Sequence, residues 1–310
     1  MTALSVHNLS KIFGALSVLK NINLNVEDEE FVALLGQSGS GKSTLLRIIA
    51  GFESPDQGSI SLSDKVITDT SKFVKPEDRE VGVIFQDYAL FPHLSVKKNI
   101  AFGVKDAKKQ RQRIDDLLET FELQEQADKK PSAISGGQQQ RVAIARALAV
   151  NPKLLLLDEP FSNLDQALKS KIRLEIRKIQ KTFKIPMILV THDPDDALEL
   201  ADKVAVLEAG EIVQFDTPEA IYFNPKNKYV ASLFGPCSEF EGIFLRPEYV
   251  DFKGSTYTGE VISFINGPKH KVVDLLVNQQ EIIAYADPEM TLEIGQSLNF
   301  AINQKKSKKR

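Results

Sequence analysis

The chain has a single cysteine, Cys237, among 310 residues. An intramolecular disulfide is therefore impossible, and the usage fits a reducing compartment. A lone thiol could serve catalysis, but a buried or loop cysteine is the plainer reading. Long apolar runs are also missing. Residues 154–157 and 187–190 are strand-sized, far short of a bilayer span. The first six residues lack the charged-then-apolar pattern of a signal segment. The chain is thus expected to be cytosolic, with any membrane link made through a partner. Positive charge is not in excess: the net charge is -3 and the pI about 5.9. That balance argues against a broad basic surface for nucleic acid. The tail 305–310 is strongly basic, which reads as a frayed, solvated terminus rather than a lipid anchor. There is no internal repeat and no low-complexity linker.

What is present reads as two domains. Short apolar runs at 31–35, 81–85, 154–157, 187–191 and 203–208 have the pattern of buried strands. Amphipathic helical stretches such as 169–182 and 195–201 lie between them. The alternation implies an α/β fold with a mostly parallel sheet. Residues 97–150 read as helices only, with Ile114, Leu117, Leu118 and Phe121 on one apolar face. They predict a helical insertion beside the sheet. Near residues 233–236 the pattern changes to short alternating runs at 242–245, 260–265, 271–277, 280–285 and 297–302. These predict a small all-β module, a partly open barrel. The expected domains are 1–235 and 236–310.

The segment Gly36-Gln37-Ser38-Gly39-Ser40-Gly41-Lys42-Ser43-Thr44 fits G-x-x-x-x-G-K-[ST] without a mismatch. It follows an apolar strand and opens a helix, which is the arrangement of a phosphate cradle. Glycines let backbone N–H groups turn inward, and the helix N-terminus adds positive potential. Lys42 would reach the β- and γ-phosphates of a nucleoside triphosphate, and the Ser43 hydroxyl would ligate Mg²⁺. The strand-like run 154–157 ends in Asp158 and Glu159. At the end of a parallel strand these carboxylates would face the phosphates. Asp158 would hold Mg²⁺, chiefly through water, and Glu159 would orient and polarise the attacking water.

Between these motifs stands Ile134-Ser135-Gly136-Gly137-Gln138-Gln139-Gln140-Arg141. Ser135 reads as a helix N-cap, and a helix N-terminus also binds anions. Here the chain resembles the ATP-binding cassette (ABC) ATPases, whose signature is Leu-Ser-Gly-Gly-Gln. Ile134 replaces the usual Leu, a mild apolar change. The resemblance covers residues 1–235 and six motifs in order. It implies that Gln86 senses metal and γ-phosphate, with Ser43 and Asp158 as the other metal contacts. It implies that His192 contacts the γ-phosphate beside Glu159. Asp165, in Ser162-Asn163-Leu164-Asp165, would cross a dimer interface, and Phe13 would stack on adenine where Tyr is commoner. In this family two ATPase domains face head to tail. Ser135, Gly136, Gly137 and Gln138 would meet the γ-phosphate held by the other subunit's Lys42. One loop and one signature per chain imply a dimer, most simply a homodimer.

Residues 85–96 resemble the same stretch in bacterial importer ATPases, where it forms a groove for a helix of the membrane permease. Tyr88, Leu90 and Phe91 would supply an apolar docking cluster, or else pack the insertion onto the sheet. The β-module, with its Leu245-Arg246-Pro247-Glu248, resembles the OB/TOBE-like accessory domain of importers for maltose, polyamines, ferric iron, sulfate or molybdate. At about 75 residues it implies a reduced barrel suited to dimer support. The resemblance thus implies the ATP-hydrolysing subunit of a solute importer at the cytoplasmic face of the inner membrane. Its partners would be permease subunits and, indirectly, an external solute-binding protein. Ferric iron or polyamine is the expected solute. The rival is a soluble ABC ATPase acting on DNA or ribosomes, disfavoured by the lack of a coiled-coil arm, tandem duplication or basic field.

Overall fold

The computed structural model describes residues 1–104, 107–162 and 166–303, without the side chains of 107–110, 166 and 167. Its contacts divide the chain into two units, Met1–Phe215 and Asp216–Arg310. In chain order the first unit holds β1 (Thr2–Phe13), β2 (Leu16–Glu27), β3 (Phe31–Leu35), α1 (Lys42–Ala50), β4 (Gln57–Leu62), β5 (Lys65–Thr68) and β6 (Val81–Ile84). There follow α2 (Val96–Ala101), α3 (Ala107–Thr120), α4 (Gly136–Ala149), β7 (Leu154–Asp158) and α5 (Gln166–Phe183). It closes with β8 (Met187–Thr191), α6 (Pro194–Leu200), β9 (Lys203–Glu208) and β10 (Glu211–Asp216).

The central sheet runs β10-β9-β3-β8-β7-β6, and β9, β3, β8, β7 and β6 pair in parallel. Successive strand residues point to opposite faces, so a strand covered on both sides must be apolar throughout. On β3, Phe31 packs into one buried cluster while Val32 and Leu34 pack into the other. On β7, Leu155 and Leu157 face the first, and Leu154 and Leu156 face the second. One cluster joins the sheet to α2–α4, where Ile114, Leu117, Leu118 and Phe121 are all buried, as their helical spacing predicts. The other joins it to α1 and to a second sheet.

That second sheet, β2-β1-β4-β5, is antiparallel and was not foreseen from the sequence. It buries Leu4, Val6, Leu9, Ile22 and Leu24 against α1 and the central sheet. At the far end of α1, Gly51 caps the helix at φ 87°, a conformation that favours glycine. The Arg79 guanidinium, 1% exposed, donates to the carbonyls of Ile48 at 2.7 Å and Ile49 at 2.9 Å. Burial without a carboxylate pushes its pKa down to about 10. A cation on the last carbonyls of the phosphate-loop helix complements the helix dipole.

The second unit holds α7 (Pro218–Phe223), α8 (Lys228–Leu233), β11 (Ser238–Phe240), β12 (Ile243–Leu245), β13 (Val250–Asp251), β14 (Tyr257–Asn266), β15 (Lys271–Val277), β16 (Gln280–Ala286) and β17 (Ser297–Ile302). Its sheet runs β13-β17-β14-β15-β16 in antiparallel ladders, with β11 and β12 as a separate pair. Phe240, Val261, Leu275, Ile282 and Phe300 fill a barrel-like core. The β pattern begins at Ser238, beside the turn read from the sequence, but the contacts group helices α7 and α8 with it. Cys237 is half-buried, and burial raises its thiol pKa, the opposite of an activated nucleophile.

Candidate nucleotide site

The order β3-β8-β7-β6 brings four loops together at the carboxyl ends of parallel strands. The phosphate loop follows β3, His192 follows β8, Asp158 ends β7 with Glu159 after it, and Gln86 follows β6. Such strand ends are where open α/β sheets bind ligands.

The loop cannot carry side chains at two of its glycines. A Cβ on Gly36 would sit 2.4 Å from the Leu207 carbonyl oxygen. Gly41 has φ 107°, and a Cβ there would meet the Leu19 side chain at 2.7 Å. Lys42 is 4% exposed, and its Nζ donates to the Gly36 and Gln37 carbonyls at 2.7 and 2.9 Å. Burial lowers its pKa, opposed by the charges of Glu159 and Asp158. The Ser40 hydroxyl is buried with no protein partner. An ammonium held by its own loop's carbonyls beside a buried hydroxyl lacking a partner fits a phosphate chain. Ser38, Gly39 and Thr44 complete the segment, with Gly39 at φ 83°.

The Ser43 Oγ donates to Asp158 Oδ1 at 3.4 Å. Burial raises the Asp158 pKa, and the adjacent Glu159 charge adds to the shift. Two oxygen donors and a neighbouring carboxylate that disfavours a second negative charge fit a small hard cation. Among the described residues no cluster of three His, Cys, Asp or Glu could hold a metal without other ligands. Glu159 adopts φ 45°, a left-handed backbone uncommon for its type. Its N–H donates to Val190 at 3.0 Å, and its carbonyl accepts from the Ser162 N–H at 3.2 Å and Oγ at 3.0 Å. Its carboxylate Oε2 stands 3.2 Å from His192 Nδ1.

Ser135 caps α4 in a reciprocal box: its Oγ accepts from the Gln138 N–H at 3.4 Å, and its N–H donates to Gln138 Oε1 at 3.0 Å. A Cβ on Gly136 or Gly137 would meet nothing within 4 Å. The fold itself does not demand these glycines. Phe13 is 46% exposed at the end of β1, with the Lys11 ammonium 4.9 Å from its ring centroid, so it is not a core residue. Gln86 is exposed just beyond β6. Asp165 lies outside the described residues.

The expected docking cluster needs a correction. Tyr88 is buried in the core with Ile84 and Val96, so it packs the insertion onto the sheet. Leu90 is partly buried against the same core. Phe91 and Phe102 pack as tilted rings with centroids 4.2 Å apart, and Phe52 and Phe85 likewise at 5.8 Å. Phe52 and Phe102 are the exposed members of these pairs. The strand-to-insertion turn is held by Arg146, whose guanidinium donates to the Tyr88 and Ala89 carbonyls.

Sequence reasoning missed the charged groups behind His192. Arg173 and Asp196 are 1% and 2% exposed and bonded to each other. The only hint was a basic residue beside Ile172 and Ile176 on the apolar face of a helix; its partner lies 23 residues away.

Residues 19–162 match the family model described as ABC transporter. The chain is 46% identical over 245 residues to the spermidine/putrescine import ATP-binding protein PotA of Marinobacter nauticus, covering 78% of this chain and 65% of that protein. It is 40% identical over 309 residues to the sulfate/thiosulfate import ATP-binding protein CysA of Thermosynechococcus vestitus, covering 92% and 91%. Among solved structures, cbiO1 of Clostridium perfringens, part of an ABC transporter complex, superposes with a TM-score of 0.65 at 33% identity, over 71% of this chain and 90% of that one. A dimeric ATP-binding cassette in a post-hydrolysis state with ADP and Pi gives 0.59 at 32% identity, over 69% and 98%. With the motifs assembled in one fold and relatives of this similarity, the chain belongs to the ABC transporter family, as one of its ATP-binding ATPase domains.

Proposed function

We propose that this chain is the ATP-hydrolysing subunit of a solute importer, working as a head-to-tail dimer beneath separate permease subunits at the cytoplasmic membrane face. No described helix is long and apolar enough to cross a membrane, so the permease is a separate partner in this reading. The observation that carries it is the pairing of Glu159 with His192 beside the phosphate loop, in a chain whose relatives are named import ATP-binding proteins.

In this reading Lys42 and the loop N–H groups bind the β- and γ-phosphates of ATP. Magnesium, held by Ser43 and Asp158 with Gln86 alongside, would offset charge on the phosphate oxygens. Glu159 orients a water for in-line attack on the γ-phosphorus and accepts its proton. His192 fixes the Glu159 carboxylate and donates toward the γ-phosphate. The partner subunit's signature closes the site with the Ser135 hydroxyl and the N–H groups at the start of α4. The open space at Gly136 and Gly137 supports this role, since close backbone approach by a ligand is one reason to keep glycine where packing does not require it. ATP then shifts an open–closed equilibrium through contacts made only when closed.

Polyamine is the solute this reading favours, after the spermidine/putrescine relatives. Sulfate is the second reading, because the CysA relative covers nearly the whole of both chains. Ferric iron, the other solute expected from the sequence, has no counterpart among these relatives. Size-exclusion of Glu159→Gln with and without ATP tests the dimer: an ATP-dependent shift to twice the mass is expected, and a monomer under both conditions would remove the composite site.

A further inference from the structure

Helix α5 carries two charged anchors, Arg173 and Glu175. Successive residues of an α-helix are about 100° apart, so these two lie roughly on opposite sides of the axis. Arg173 reaches the segment that carries His192. Its Nε lies 2.8 Å and its Nη2 2.6 Å from Asp196 Oδ1, its Nη2 lies 3.3 Å from Asp193, and its Nη1 lies 3.0 Å from Glu199. The other Asp196 oxygen accepts from the Thr191 hydroxyl at 2.6 Å, and that hydroxyl accepts from the Asp193 N–H at 3.0 Å. Both neighbours of His192 are thereby fixed to α5. On the other side, Glu175 grips the signature helix. Its two oxygens accept from Arg141 Nη2 at 2.6 Å and Nε at 3.2 Å, a two-point geometry that fixes direction as well as distance. Arg141 sits on α4, whose N-cap is Ser135.

We propose that α5 is a tie-beam holding the His192 segment and the signature helix in one register, with Arg173, Asp196, Arg141 and Glu175 as positioning residues for hydrolysis. The inference rests on the dimer reading above. In that dimer His192 serves the phosphate held by its own chain, whereas the signature serves the phosphate held by the partner. A stiff link between the two would make each subunit present both groups together, so that the two sites of the dimer close as a unit. Near-buried and two-point ion pairs suit this task because they fix direction as well as distance. When Glu175 or Asp196 is lost, Arg141 keeps Glu122 and Arg173 keeps Asp193 and Glu199, so each guanidinium is drawn to a different position.

The test is steady-state ATP hydrolysis of Glu175→Ala, Asp196→Asn and the double variant, with ATP affinity and melting temperature measured alongside. Thr191→Val substitutes for Asp196→Asn should the latter fail to fold. Each single variant is expected to lower kcat about tenfold with ATP affinity within about twofold, because the link acts after binding. If one beam carries both effects, the double variant falls little below the worse single variant, as for groups acting as a unit. Because Arg141 Nη1 also meets Glu122 Oε2 at 2.9 Å, the exchanged pair Arg141→Glu with Glu175→Arg is made together with Glu122→Gln, and it should recover most of the rate lost by Glu175→Ala. Wild-type kcat in either single variant, losses that multiply in the double, or an exchanged pair no better than Glu175→Ala would each overturn the proposal. So would losses that follow ATP affinity and melting temperature, the mark of a merely structural role. Failure of the dimer reading shows separately, as Glu159→Gln remaining monomeric with ATP, and it would remove the beam's purpose as well.

Discussion

His192 Nδ1 lies 3.2 Å from Glu159 Oε2, across the ends of two neighbouring parallel strands. The carboxylate is the more enclosed of the pair, with its side chain 25% exposed against 55% for the imidazole. The left-handed backbone at Glu159 turns the chain sharply after β7, and its N–H and carbonyl are both bonded, so the turn is fixed. In the proposed mechanism this carboxylate activates water and has little part in holding the nucleotide. Glu159→Gln should therefore bind ATP normally and lower turnover by about a hundredfold or more. His192→Ala should also spare binding and cut kcat, because it frees the same carboxylate. Equilibrium binding with single-turnover hydrolysis separates the two steps; near-normal hydrolysis by Glu159→Gln would remove it from its role.

Asp158 is expected to trade stability for metal binding. Its pKa is raised in the fold by burial and then by Glu159. A carboxyl that holds its proton more tightly when folded makes folding less favourable as pH rises through the folded pKa. The nucleotide-free Asp158→Asn protein should thus melt a few degrees above wild type near neutral pH, with the gap shrinking toward pH 4. Its magnesium-dependent ATPase should be lost. A lower melting temperature than wild type at pH 7 would contradict the electrostatic account.

The glycines of the loop and of the signature should behave oppositely. Gly41→Ala places a Cβ 2.7 Å from Leu19 at φ 107°, so it should unfold more readily. Gly137→Ala adds a Cβ where nothing lies within 4 Å, inside a helix. It should hold or raise stability by up to about 1 kcal/mol. Its turnover should nonetheless fall, because in the proposed dimer the space it fills receives the partner's nucleotide. Thermal melting and ATPase rates on the two variants check the contrast; an active Gly137→Ala would weaken the composite site.

Asn99 is fully buried and stitches the segment 91–95 to α2. Its Oδ1 accepts from the Phe91 N–H at 2.8 Å, and its Nδ2 donates to the carbonyls of Phe91, Leu94 and Ser95 at 3.1 to 3.2 Å. Asn99→Ala should cost about 2–3 kcal/mol by leaving backbone groups unpaired. If this segment docks the permease, a gentler change, Phe102→Ser, should abolish uptake while ATP binding stays normal. Unaltered uptake by Phe102→Ser would place the docking surface elsewhere.

The central sheet and the phosphate site were legible because both leave strong marks in a chain. A strand buried on two faces is apolar at every position, as residues 31–35 and 154–157 are, and two of the loop glycines, Gly36 and Gly41, sit where a Cβ would collide. The antiparallel sheet was not legible. Strand β1 shifts register after Thr2, Val6, Leu9 and Lys11, and each shift breaks the alternation that marks a half-buried strand. Tyr88 stayed open between docking and packing because an apolar cluster between two elements looks alike whether it docks a partner or closes the core; the fold buries it. Arg173 gave only the hint of a basic residue beside Ile172 and Ile176, and Asp196 gave none, since charged residues in a helix read as a solvated face until the fold buries them together.

The central claim is ATP-driven solute import, and uptake tests it most directly. A strain lacking this gene would be complemented with wild type or Glu159→Gln and given labelled spermidine, sulfate and iron(III) separately. The account predicts that spermidine uptake fails in the deletion and returns with wild type but not with Glu159→Gln. Uptake of every solute unchanged by the deletion would contradict the importer assignment and favour a soluble ATPase role.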